Sequence, residues 1–151
     1  MILSDRIRQA KNRPARARGS LLFGDKGSYN TQVTNELLVG FLIGADFNTT
    51  ADQSITITTG YRVTKITVTN ASLNMTTAAG GFYSAGAKGG TQLVASTQVY
   101  TALTSASVIL SCTMNAIVAG LSAVVFSLTT GQGSAATADI RIYGVSSTLA
   151  R

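Results

Sequence analysis

The chain has 151 residues, 45% of them hydrophobic and only 12% charged, with a formal charge of +6. A chain of that length suits one domain that buries ~70% of its unfolded surface without disulfides. With no histidine and a single cysteine, it lacks Ser-His and Cys-His nucleophile pairs and an intrachain disulfide framework, and no apolar run approaches the ~20 residues of a membrane span.

The charge is concentrated at the start. Residues 1–20 hold Arg6, Arg8, Lys11, Arg13, Arg16 and Arg18 against Asp5, which gives +5, and residues 21–151 carry six basic and five acidic groups, which leaves +1. The expected organisation is a basic arm over 1–35, extended or partly helical, and a β domain over 36–151. In the arm, Ser4 caps a short helix from Asp5 to about Asn12, Pro14 ends it, and Gly19 with Ser20 makes a joint. The arm has too little apolar surface to fold alone. It reads as a disordered tail, as a docking segment that orders on a partner, or as a phosphate-binding arm. The candidate partner-binding residues are its six cations together with Leu21, Leu22 and Phe23, a short apolar anchor.

The run Glu36 to Ile43 is the most hydrophobic early segment and does not alternate, which suits a strand buried on both faces or an interface strand. Ser54 to Thr59 alternates and leads through Gly60 into Tyr61 to Asn70. The two form an expected hairpin with Thr59 and Gly60 at the turn. Within Tyr61 to Asn70 the apolar register slips between Val63 and Ile66, so a bulge is expected near Thr64 and Lys65. Further strands are expected at Phe82 to Ala85, between glycine-permitted bends, and at Gln92 to Ala95, Gln98 to Leu103 and Ser107 to Met114. Ala123 to Thr129 should place Val124, Phe126 and Leu128 inward. Thr137 to Val145 should place Ala138, Ile140 and Ile142 on one face. Asn115 to Leu121 allows one helical turn. About eight short strands at this spacing describe an all-β, jelly-roll-like sandwich.

Little on the chain carries chemistry. Asp5, Asp25, Glu36, Asp46, Asp52 and Asp139 are isolated in sequence, although Asp46 and Asp52 share a loop that calcium, an oxygen-seeking ion, could use. Gly81 to Gly89 only superficially follows a phosphate loop, because Ala87 precedes Lys88 and Gly89 stands where a hydroxyl is required. Cys112 shares parity with Val108, Leu110 and Met114 and reads as a small core residue. Three glycosylation patterns begin at Asn48, Asn70 and Asn74, and they have no meaning without secretion. No catalytic, cofactor or metal site is expected, and the chain is read as not an enzyme. Its 21 Thr and 15 Ser cover the surface with hydroxyls in place of charges, which favours a molecule that lives in an assembly.

Two passages carry a resemblance. Val68 to Leu103 (VTNASLNMTTAAGGFYSAGAKGGTQLVASTQVYTAL) and Phe126 to Val145 resemble a β module in small virion proteins of tailed bacteriophages, of the capsid decoration (cement) or head-fibre kind. The resemblance implies a structural, non-enzymatic role on a phage particle assembled in the host cytoplasm, with the protein present as a homo-oligomer, a trimer or dimer. The expected partners are the major capsid protein and other copies of the chain, with no membrane partner and with nucleic acid less favoured. A carbohydrate- or receptor-binding fibre module using Tyr83 or Tyr100 is the alternative, and nucleic-acid binding through the arm is a second.

Overall fold

The computed structural model describes residues 35–147, which belong to a compact unit beginning at Asn35. The six arm cations and Leu21, Leu22 and Phe23 lie outside the described residues. So does the expected helix from Asp5 to Asn12.

Nine strands form in chain order: β1 Leu37–Asp46, β2 Gln53–Thr56, β3 Tyr61–Thr69, β4 Ala79–Ala85, β5 Gly89–Val94, β6 Leu110–Ser111, β7 Val118–Ala119, β8 Ala123–Thr130 and β9 Thr137–Ser146. They make two antiparallel sheets. The first has the order β1-β9-β3-β6, with β7 also on β3, and the second has the order β2-β8-β4-β5. The chain crosses from sheet to sheet after β1, β2 and β3, and its last two long strands insert between earlier ones, β8 between β2 and β4 and β9 between β1 and β3. This is the two-sheet jelly roll.

The sandwich holds together because alternating strands turn one row inward. On β8, Val124, Phe126 and Leu128 are fully buried, and on β9 Ala138, Ile140 and Ile142 are equally so. Val63, Ile66 and Val68 do the same on β3, and its register shifts between Val63 and Lys65, where the apolar pattern slips. The extra residue is Thr64, absorbed as a bulge. Cys112 packs in the core at 6% exposure, and burial pushes its thiol up to about 12, so it is held as an unreactive thiol.

Several expectations need correction. Ser54 to Thr59 and Tyr61 to Asn70 are not a hairpin: β2 pairs with β8, whereas β3 pairs with β9, β6 and β7. Thr59 and Gly60 do turn the chain, with Gly60 at φ 85, but the turn carries it between sheets. Gln98 to Leu103 forms no strand, only a bridge from Val99 to Ala79. Ser107 to Met114 is reduced to the two residues of β6, and Asn115 to Leu121 holds β7 in place of a helical turn. Gly80 and Gly81 are not bends. They lie within β4, where a Cβ on Gly80 would stand 2.4 Å from Leu128 Cα and one on Gly81 2.4 Å from the Val94 carbonyl oxygen. Glycine is there to let backbones approach.

The loop after β8 is fastened by Gln132 and by Thr77, whose Oγ1 donates to the Gly131 and Gln132 carbonyls. Gln132 is buried, its Oε1 accepts the backbone N–H groups of Thr76, Thr77 and Ala78, and its Nε2 donates to Thr76 Oγ1 and the Asn74 carbonyl. Backbone groups that lack a strand partner are thereby satisfied.

Candidate functional site

The surface feature that stands out among the described residues is the outer margin of β1. It is the edge strand of its sheet, and Leu37, Leu38, Phe41 and Ile43 on it are 49%, 51%, 60% and 73% exposed. Exposed edges are normally blunted by charge or proline; this one carries large apolar side chains. The exposure excludes a strand buried on both faces and leaves the other expectation, an interface strand.

Local geometry explains the lack of alternation. The pairing of β1 with β9 shifts between Leu38 and Gly40 and again between Leu42 and Ala45. Each shift changes which residue faces inward, so Val39 and Ala45 are buried while Phe41 and Ile43 point out. Gly40 lets β1 close on the start of the second sheet: a Cβ there would stand 2.5 Å from Ile57 Cδ1 and 2.8 Å from the Thr56 carbonyl oxygen. The Thr58 N–H donates to the Val39 carbonyl at 2.8 Å. Beside this seam runs an open groove of about 470 Å³ lined by Leu38, Phe41, Ser54, Ile55 and Thr56 among others.

The polar part of this face is small. Lys65 Nζ donates to Glu36 Oε2 at 2.9 Å and lies 4.7 Å from the centre of the Tyr143 ring. Thr64 Oγ1 donates to Glu36 Oε1 at 2.9 Å. The hydrogen bond from Lys65, then that from Thr64, holds the Glu36 carboxyl below its ordinary 4.5, and the same pairing raises Lys65 above 10.5. The Glu36 share of this pairing is present above pH 4.5 and is lost as pH falls through the lowered value. The Lys65 share is present below 10.5 and is lost as pH rises through the raised value. Replacing Lys65 with Met should move the Glu36 titration back toward 4.5, measured by NMR; an unmoved titration would contradict the pairing.

Asp46 and Asp52 serve separate turns. Asp46 Oδ1 accepts the Asn48 N–H at 2.7 Å, while Asp52 Oδ2 accepts the Ala87 N–H and, with the Ala87 bond first and a Ser127 bond second, stays below its ordinary range. Among the described residues no group of three or more His, Cys, Asp or Glu is placed to hold a metal. The Ala85 to Gly89 segment is the hairpin turn between β4 and β5, with Ala87 and Lys88 at φ 54 and 57. Tyr83 and Tyr100 are 3% and 0% exposed, so neither offers a ring face to a sugar. Ile109 and Ile117 are not marked as surface features by the sequence, since an apolar residue beside a two-residue strand looks the same whether it faces the core or solvent.

No family model, curated protein or solved structure matches this chain.

Proposed function

We propose that this chain is a non-enzymatic structural protein of a virion, bound to the capsid surface of a tailed bacteriophage as a decoration, or cement, protein. The observation that carries the reading is the partition of charge. The described residues hold Arg62, Lys65, Lys88 and Arg141 against Glu36, Asp46, Asp52 and Asp139, four against four, so the sandwich is neutral. Residues 1–34 hold seven basic and two acidic groups, and Arg151 supplies the remaining charge of the total +6.

A neutral, hydroxyl-covered body packs beside its neighbours without like-charge repulsion. The leading cations, Arg6, Arg8, Lys11, Arg13, Arg16 and Arg18, pair with acidic patches on the major capsid protein, and Leu21, Leu22 and Phe23 add apolar contact. Each exposed ion pair contributes only ~0–1 kcal/mol, so firm attachment draws on the apolar anchor and on many copies held at high effective concentration. The resemblance of Val68 to Leu103 and Phe126 to Val145 to small phage virion proteins points the same way. A glycan-binding fibre tip has less support, because Tyr83 and Tyr100 are enclosed.

The test is removal of residues 1–20. The truncated chain should keep the circular dichroism and unfolding midpoint of the parent and lose its binding to undecorated phage heads. Full occupancy by the truncated chain would contradict the reading, and if that chain also lost a DNA binding shown by the parent at low salt, the cations would be assigned to nucleic acid.

A further inference from the structure

Of the seven exposed large hydrophobic residues among the described residues, six lie on the two opposite margins of the first sheet. Leu37, Leu38, Phe41 and Ile43 belong to β1, at one margin, while Ile109 precedes β6 and Ile117 precedes β7, at the other. The interior strands β9 and β3 between them expose no large apolar side chain.

The two margins match in level. One row of the sheet runs Leu42, Ile140, Val68, Leu110 from margin to margin. Ile43 stands one residue beyond that row on β1, and Ile109 one residue beyond it at the far side. A second row runs Leu38, Tyr143, Lys65. Val118 pairs with Val63, which puts Ile117 at the level of Thr64, next to that row. Strands β1 and β3 run the same way, both antiparallel to β9. A copy set beside another in the same orientation would therefore bring Ile43 against Ile109 and Leu38 against Ile117 together.

Charge plays no part in this placement. Asp139 lies across from Thr69 and Asp46 across from Thr137, at the Ile43 end of the sheet, whereas exposed Arg62 lies across from Val145 and Ala119 at its other end. The match between the margins is apolar.

We propose that copies of this chain associate head to tail, the β1 margin of one against the β6 and β7 margin of the next. A two-fold contact of β1 with β1 would leave Ile109 and Ile117 in water; the head-to-tail contact covers both margins with a single interface. Such a contact repeats, giving assemblies of three or more copies by ring closure or by extension. The inference does not depend on the capsid reading, and either can fail without the other.

Two full-length variants test it, Ile43→Cys and Ile109→Cys, with a short bis-maleimide linking thiols. The mixture should give a cross-linked pair, while each variant alone and the parent should not, because Cys112 is buried. Native mass should correspond to three or more subunits of 15.6 kDa. Ile43→Asp should weaken association about tenfold or more with its circular dichroism unchanged. Ile43→Cys cross-linking to itself would establish a two-fold contact and overturn the proposal, as would a parent chain that remains monomeric at every concentration.

Discussion

Replacing Phe126 with alanine is expected to lower the unfolding free energy by about 3–5 kcal/mol. Phe126 sits at the middle of β8, fully buried, with the ring centres of Phe47 and Phe82 each 4.9 Å away and that of Tyr100 at 6.0 Å, edge-on. Phe47 and Tyr100 also meet edge to face at 5.0 Å. The space left by the ring cannot collapse, because β8 is pinned by β2 on one side and β4 on the other. The cavity cost therefore adds to the lost transfer energy. Tyr100 compounds the effect: its hydroxyl donates to the Gly80 carbonyl at 3.2 Å, and burial keeps that hydroxyl protonated well above its ordinary value. Opening the cluster would expose this bond to rearrangement. Against a total of about 5–15 kcal/mol for a domain, such a loss is a large share of the stability. Urea unfolding followed by fluorescence or circular dichroism should show a much lower midpoint at similar slope, and a loss under ~1 kcal/mol would show that the four rings do not form the central packing unit.

Gly81→Val is the second large effect, and it acts through backbone. The added Cβ would meet the Val94 carbonyl oxygen at 2.4 Å and the Ala95 carbonyl oxygen at 2.9 Å. Neither is the end of a flexible side chain, so relief requires β4 and β5 to separate along the hairpin that pairs Phe82 with Val94. Overpacking of this kind costs about 1–3 kcal/mol and more where backbone must move. Gly44→Val, on the exposed margin of β1, provides a contrast. No atom lies within 4 Å of its added Cβ, and its cost comes only from φ 67. Equal midpoints for Gly81→Val and the parent would contradict the close approach of β4 and β5.

The long interior strands were legible because large apolar residues alternate along them with smaller or polar ones, even where the second face is also covered, as at Ser127 on β8 and Thr67 and Thr69 on β3. The alternation in Phe126 to Leu128 and in Ala138 to Ile142 states which side meets the core, and the slip between Val63 and Ile66 locates a bulge that the ladder does contain. Where that alternation is missing, sequence is silent. β1 shifts register twice and leaves apolar residues in solvent, so its pattern names neither its face nor its margin. β6 and β7 have two residues each, too few for any period to emerge. The missed crossing between Ser54–Thr59 and Tyr61 has another cause: a turn at Thr59 and Gly60 is compatible with a hairpin or with a change of sheet, and only the long-range pairing of β2 with β8 decides between them. Gly80 and Gly81 were misplaced for a related reason. Glycine serves both bends and close approaches, and the difference lies in Leu128, Val94 and Ala95, distant in sequence. The apolar character of the candidate site was thus readable at Glu36 to Ile43, whereas its counterpart at Ile109 and Ile117 became visible only once both margins of one sheet were placed.

The most direct measurement is an image of whole phage particles in which density for this chain is located, using particles made with and without it. The charge partition predicts difference density on the outer capsid surface, with the sandwich outermost and its attachment at acidic patches of the major capsid protein. Density confined to the tail tip, or chain recovered only free of particles, would contradict the account.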